Sequence, residues 1–450
     1  MRILLLAPYA PYPPRSGGAL RIYHLLKGLA SNHEVWLLTF VSPVPPDSPD
    51  SAVSAGGPVD PDAAARALEP LQAWCRVVTV PGQPPRSLAR RAWTTLASPL
   101  PDMALRNRSP AYHRALHQLL ATHPFDVVQA ESIEMAGYAL EAAPPAPSSA
   151  PLRLLDEFNA EYVLQRRAAL TDLSTILRIK VRNLKTFTSA PYSLVQWYKL
   201  AVYERQLLQH VDRVVAVSEE DRTALLRLCP RARVSIVPNG VDTDYFAPGA
   251  GAPLLRSTCS EGADQQFPDQ QAAPAAGDIV FTGSLDFRPN IDAVTWFVHE
   301  VLPLVRQAWP AVRFVVVGRN PTPAVRLLHH GTSVEVVGEV ADVRPFIARA
   351  RVYVVPMRIG GGVRLKLLEA LAMQAPVVST TMGAEGVQGV RDGEHLLLAN
   401  PAEAFARAVL RVLADPPLGQ RLGEAGRKLV QERYDWRVLV PLLEAVYTSG

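Results

Sequence analysis

Cysteine is scarce. The 450 residues hold three, Cys75, Cys229 and Cys259, too few and too scattered for a disulfide framework or a four-ligand zinc site. A reducing cytoplasm is therefore the expected compartment. Long apolar runs are missing as well: no stretch reaches the ~18 consecutive apolar residues that a membrane-spanning helix needs. The opening Met1-Arg2-Ile3-Leu4-Leu5-Leu6-Ala7-Pro8 is too short in its apolar core for a secretory signal and reads as a first β-strand. Charge of one sign is also lacking. Lys and Arg number 46 against 42 Asp and Glu, a net +4 without a dense basic run. Nucleic acid is excluded as an expected partner, whereas a basic face toward phosphates or anionic lipid stays open.

Apolar residues make up 48% of the chain, which excludes wholesale disorder and supplies the cores of about two or three domains. Proline is in excess: 41 in 450 residues, against a usual share near 5%. Part of it clusters in Val41–Pro61, Glu141–Pro151 and the Gly/Ala/Pro/Gln stretch Pro248–Gly277, which read as exposed loops and a linker insertion. Other prolines (Pro8, Pro13, Pro14, Pro289 and Pro356) sit at strand-to-helix turns.

Short Val/Ile/Leu runs alternate with amphipathic stretches along the chain. In the first half, strands are expected at Ile3–Leu6, Val35–Phe40, Arg76–Val80, Asp126–Gln129, Arg153–Leu155 and Arg213–Val217, with a helix over Gly17–Ala30. The second half repeats the pattern. Strands are expected at Ile279–Thr282, Arg313–Val317, Val334–Val337, Val352–Val355, Val377–Ser379 and Leu396–Leu398, separated by helices such as Asn290–Trp309 and Val363–Met373. This is an α/β pattern of doubly wound parallel sheets, with ligands expected at the carboxyl ends of the strands. Leu170–Gln209 reads as long helix, and its Arg178, Lys180, Arg182 and Lys185 form either a solvated face or a contact with an anionic membrane.

Three strand-to-helix turns carry candidate chemistry. Ser16-Gly17-Gly18 follows the first strand and lets backbone N–H groups approach a diphosphate or sugar. Phe281-Thr282-Gly283-Ser284-Leu285 is a second such turn, with Arg288 placed to reach an anion. The strongest is Pro356-Met357-Arg358-Ile359-Gly360-Gly361-Gly362-Val363-Arg364-Leu365-Lys366-Leu367-Leu368-Glu369. Free N–H groups at Gly361, Gly362 and Val363 suit phosphate oxygens, and Arg358, Arg364 or Lys366 suit their charge. Glu369 can accept two hydroxyl donors at once, the usual grip on a ribose diol. The ten histidines read as lacking ligand spacing, so no metal is expected.

The chain resembles glycosyltransferase family 4, of GT-B architecture: two facing Rossmann-like domains with a cleft between them. The likeness is carried in order by Gly17-Gly18, Asp212-Arg213-Val214-Val215-Ala216-Val217-Ser218, Val237-Pro238-Asn239-Gly240-Val241-Asp242 and Gly283-Ser284-Leu285. It continues with Gly338-Glu339-Val340-Ala341-Asp342-Val343, the Glu369 helix and Ala375-Pro376-Val377-Val378-Ser379-Thr380. The resemblance implies an acceptor-binding domain over 1–217, onto which a C-terminal helix at 434–450 packs back, and a nucleotide-sugar domain over 240–433. It implies a retaining transferase moving a sugar from a nucleotide-diphosphate donor to a glycan or lipid-linked acceptor in cell-surface polysaccharide synthesis. No metal cofactor is implied, and the location is cytoplasmic, with peripheral contact at the inner membrane face admitted.

Catalytic roles fall on Arg364, Lys366 and Glu369; donor-binding roles fall on Gly17, Gly18, Gly283, Ser284, Arg288, Arg358, Gly361, Gly362, Val363 and Glu369. The chain departs from the family pattern at four places. Gly361 stands where the first Glu of the Glu-x7-Glu motif is expected, and Ser284 where an Arg is frequent. Phe158 and Gln129 stand where His is frequent. These departures keep two alternatives open: a sugar-nucleotide-binding scaffold with little catalysis, and a nucleotide-sugar epimerase on the same architecture.

Overall fold

The valine- and leucine-rich runs pair into two parallel sheets, each the centre of its own unit. The computed structural model describes residues 1–14, 16–41, 68–82, 86–142, 150–178, 184–249, 278–360 and 364–449. It divides into one unit of Met1–Pro238 with Leu439–Gly450 and a second of Asn239–Val438.

Among the described residues, the first unit holds seven strands: β1 (Arg2–Ala7), β2 (Glu34–Val41), β3 (Arg76–Pro81), β4 (Val127–Glu131), β5 (Leu152–Glu157), β6 (Arg213–Ala216) and β7 (Val234–Ile236). Their order is β3-β2-β1-β4-β5-β6-β7, and every pair is parallel. β1, with Ile3 against Val35 and against Val127, is buried on both faces, as helices covering both sides of a sheet require. β7 is a three-residue strand beside β6, too short to stand out as a periodic run, and it carries the first unit on to Pro238, past the expected end at 217. From Leu439 onward the helix Trp436–Thr448 belongs to this unit. Leu439 and Leu443 are fully buried, and the Tyr447 hydroxyl donates to Gln129 Oε1 at 2.6 Å.

The second unit holds β8 (Ile279–Thr282), β9 (Phe314–Val317), β10 (Val334–Gly338), β11 (Val352–Val355), β12 (Val377–Ser379) and β13 (Leu397–Leu398), in the order β10-β9-β8-β11-β12-β13. This is the doubly wound order, which reverses between β8 and β11; ligands in such sheets bind outside the strand ends at that reversal. Phe281, Phe297, Phe314 and Phe405 fill the core, with the Phe297 and Phe314 rings 4.3 Å apart. The expected helix over Asn290–Trp309 runs as Arg288–Trp296, a π-helical turn Phe297–Val301, and Leu302–Ala308. Pro303 has no N–H to donate, and the wider turn before it, with the Leu302 N–H reaching the Phe297 carbonyl, carries the helix on.

The expected α/β class, two doubly wound parallel sheets, is the fold observed. The proline-rich loops fall mostly outside the described residues, as do Cys259, the Gly361-Gly362-Val363 turn and the side chains of Arg178, Lys180, Arg182 and Lys185. Cys75 and Cys229 are buried free thiols, and burial pushes Cys75 up to about 12, which makes it unreactive. Among the described residues, no helix is long and apolar enough to cross a membrane.

Candidate donor site

The site in the second unit begins where β8 ends. Gly283 has φ +152, and a Cβ there would lie 2.5 Å from Lys366 Nζ, so a side chain at 283 would occupy the ammonium's place. Lys366 enters from the helix Leu365–Ala372, which follows β11 on the other side of the strand-order reversal. Its ammonium donates to Asn290 Oδ1 at 2.8 Å and lies 4.0 Å from the centre of the Phe281 ring. Asn290 in turn donates from Nδ2 to the Ser284 carbonyl at 2.8 Å, tying helix, loop and lysine together.

Charge at this point is concentrated and poorly solvated. Burial, followed by the neighbouring Arg364 cation, pulls Lys366 down to about 7, while Glu369 acts in the opposite sense. Arg364 is the residue before the helix and is buried, its guanidinium lying against Gly360. Gly360 has φ +119, and a Cβ there would come within 2.7 Å of Arg364 Nη2. Glu369, one turn along the helix, is pushed up to about 7 by burial and drawn down by Lys366. Beyond it, Tyr353 and Thr282 share a 2.6 Å hydroxyl bond, and Glu369 adds to the burial that raises the Tyr353 phenol. Two cations and a carboxyl within two turns can hold a dianionic phosphate and accept from a diol.

Other candidate residues lie differently. Arg358 is half-exposed and paired with Asp292 through bonds of 2.7 and 3.1 Å, its guanidinium 5.4 Å from the Trp296 ring centre. Arg288 is exposed at the start of its helix. Ser284 donates to Asp286 Oδ1 at 2.7 Å and accepts from Arg319 Nε at 3.2 Å. Arg319 thus brings a guanidinium to the Ser284 loop, where the family resemblance implies an arginine. Sequence reasoning missed both Asn290 and Arg319. The signal for Arg319 was Gly318-Arg319-Asn320 directly after a strand.

In the first unit, Ser16 Oγ caps the helix Gly17–Leu29 by accepting from Ala19 N–H at 3.3 Å, and Gly17 is exposed. Gly18 has a packing reason for its size: a Cβ would collide with the Tyr9 phenol and the Phe158 ring. Behind them lies a buried polar cluster. Arg21 grips Asp156 with bonds of 2.7 and 2.9 Å and donates to the Pro238 carbonyl at 3.0 Å. Asn159 reaches Glu161 at 3.4 Å, and burial lifts Glu161 to about 7.

The uncharacterized 44.6 kDa protein in the cps region of Klebsiella pneumoniae is 25% identical over 166 residues, 35% of this chain and 42% of that protein. A phosphatidyl-myo-inositol mannosyltransferase of Propionibacterium freudenreichii is 32% identical over 256 residues, 54% of this chain and 58% of its own length. An alpha-maltose-1-phosphate synthase of Mycolicibacterium smegmatis is 28% identical over 257 residues, 52% and 62% respectively. The chain therefore spans 42 to 62% of the length of these relatives. Among solved structures, sucrose-phosphate synthase from Thermosynechococcus elongatus has a TM-score of 0.64 at 19% identity, covering 99% of this chain and 98% of that one. Anabaena HepE in complex with UDP and glucose has a TM-score of 0.60 at 14% identity, covering 99% of each chain. Both likenesses are of fold, the two-unit GT-B architecture. The Glycosyltransferase Family 4 model matches residues 15–245, over half of the sequence, and the Glycosyl transferases group 1 model matches residues 276–415; the chain belongs to glycosyltransferase family 4.

Proposed function

We propose that the chain is a retaining glycosyltransferase that moves a sugar from a nucleotide-diphosphate donor to a glycan or lipid-linked acceptor of the cell surface. The observation that carries this reading is the convergence of Lys366, Asn290 and Gly283 beside Arg364 and Glu369, at the strand-order reversal of the second sheet. Lys366 and Arg364 hold the diphosphate, and Arg319 supplies the further cation at the Ser284 loop. Glu369 accepts from the ribose hydroxyls. As the bond from the sugar to the diphosphate breaks, charge grows on the departing oxygen, and prearranged cations in a poorly solvated site stabilise it. The first unit binds the acceptor, whose hydroxyl attacks on the face the diphosphate leaves, with the departing phosphate taking its proton. The enzyme works on the cytoplasmic side of the membrane.

Support for the donor class comes from neighbours: Anabaena HepE was solved in complex with UDP and with UDP-glucose. Matched relatives named as mannosyltransferases point to a hexose. A thermal-shift panel of UDP-, GDP-, ADP- and dTDP-sugars tests the reading, since a ligand bound only by the folded state stabilises it by mass action. One donor raising the melting temperature well above the others is the expected result; no donor doing so overturns the proposal. The glycine at 361 favours a second reading, a donor-binding scaffold. Donor binding without transfer to any acceptor would select it.

A further inference from the structure

We propose that His113, His117 and Glu141 form a site for a first-row divalent transition-metal ion of the zinc class, separate from the sugar chemistry. His113 and His117 lie four residues apart on the helix Pro110–Thr122, so their imidazoles share one face a single turn apart. The reading of the histidines as lacking ligand spacing fails here. The third group comes from elsewhere in the chain. Glu141 caps the helix Ile133–Leu140, and its Oε2 lies 2.6 Å from His113 Nδ1 and 3.7 Å from His117 Nε2. The donor atoms of all three lie within 4.8 Å of one another.

These separations suit a small ion. Ligands about 2.1 Å from a tetrahedral metal stand roughly 3.4 Å from each other, so the His113–Glu141 gap opens and the His117–Glu141 gap closes by under about 1 Å, while the two imidazole nitrogens, within 4.8 Å, close by at most about 1.4 Å. The donors are held by ordered parts of the fold. The His113 ring packs on Tyr138 with centroids 4.6 Å apart, and Tyr138 donates to the Asn107 carbonyl at 2.7 Å while accepting from Ser109 N–H at 2.8 Å. Glu141 sits at a helix end whose backbone N–H returns to the Tyr138 carbonyl. The side chains of His113, His117 and Glu141 keep 29, 62 and 35% of their surface exposed, leaving an entry path and room for water as a further ligand. Two imidazoles and one carboxylate select Zn²⁺, Co²⁺, Ni²⁺ or Cu²⁺ over Mg²⁺ and Ca²⁺, which prefer all-oxygen sets. A bound ion would clip one helix to the end of the next.

Calorimetric titration of the untagged full chain with ZnCl₂ and with MgCl₂ tests the site. One Zn²⁺ per chain with a micromolar Kd and no Mg²⁺ binding is expected. His117→Ala and Glu141→Gln should each weaken Zn²⁺ at least tenfold. His117 is largely solvent-facing and Glu141 about a third exposed, and the melting temperature of the metal-free variants checks that they fold. Loaded with Co²⁺, the wild type should show the visible bands of low-coordinate, imidazole-ligated cobalt, and His117→Ala should not. Nucleotide-diphosphate binding by the second unit should be equal in all three proteins. A silent Zn²⁺ titration, or unchanged affinity in both variants, overturns the proposal and leaves the three side chains as a surface ion-pair cluster.

Discussion

Replacing Lys366 with methionine should move stability and ligand binding in opposite directions. Met keeps the side-chain length but removes a cation that burial and Arg364 have pulled from an ordinary 10.5 to about 7. At ~1.4 kcal/mol for each pH unit between those values, holding it there costs on the order of 2–5 kcal/mol. The Met variant loses the bond to Asn290, so Asn290 Oδ1 is left without the Lys366 donor at a cost of ~1–3 kcal/mol. Midway through both ranges the net gain for the unliganded protein is about 1.5 kcal/mol, a melting temperature higher by ~3–6 °C for a unit of this size. The nucleotide, by contrast, loses a desolvated charge partner worth ~2–4 kcal/mol, or roughly 30- to 700-fold in Kd. Thermal melts without ligand and calorimetry with the preferred nucleoside diphosphate read the two effects. The pH slope adds a check. Because the folded value lies below the unfolded one, the unfolded chain binds more protons between pH 7 and 10.5, and stability rises with pH across that window. The variant should lose that rise. Unchanged nucleotide affinity would refute the assignment of Lys366 to the diphosphate, and a lower melting temperature would refute the account of its buried charge.

Further outcomes follow from single contacts. Glu369→Ala should weaken a nucleoside diphosphate by roughly 10- to 100-fold and inorganic pyrophosphate far less, since only the former carries a ribose; parallel titrations check this. Glu157 and Glu204 are buried side by side, and burial pushes both carboxyls up, Glu204 to about 8. Stability should therefore fall as pH rises from 4.5 to 8, because the unfolded carboxyls ionise first. Glu204→Gln should flatten that fall and raise the melting temperature at pH 8 by about 2–6 °C, read by scanning calorimetry. Gly18→Ala should cost ~1–3 kcal/mol through collision with Tyr9 and Phe158, and adding Tyr9→Phe should recover part of it in denaturant titrations.

Much of this was legible in the sequence, because parallel strands buried on both faces leave unbroken apolar runs such as Ile3–Leu6 and Val352–Val355. The helix bearing Lys366 and Glu369 was legible for the same reason, a strand followed by glycines and an amphipathic repeat. Other features depend on tertiary contact. Arg358 is close in sequence to the glycine turn, yet Asp292 holds it. Arg319 acquires its place only when the loops after β8 and β9 meet, and Asn290 its lysine only when the helix after β11 packs beside them. β7 is too short to show periodicity, and Glu141 joins His113 only through the packing of two helices.

The most direct test of the central claim is release of nucleoside diphosphate from the preferred sugar donor, measured with and without an acceptor mixture of oligosaccharides and lipid-linked glycans. Release that depends on acceptor, yields a product with the donor's anomeric configuration by NMR, and is lost in Glu369→Ala is the expected result. Donor binding with release that ignores the acceptor, or activity undiminished in Glu369→Ala, would contradict the account.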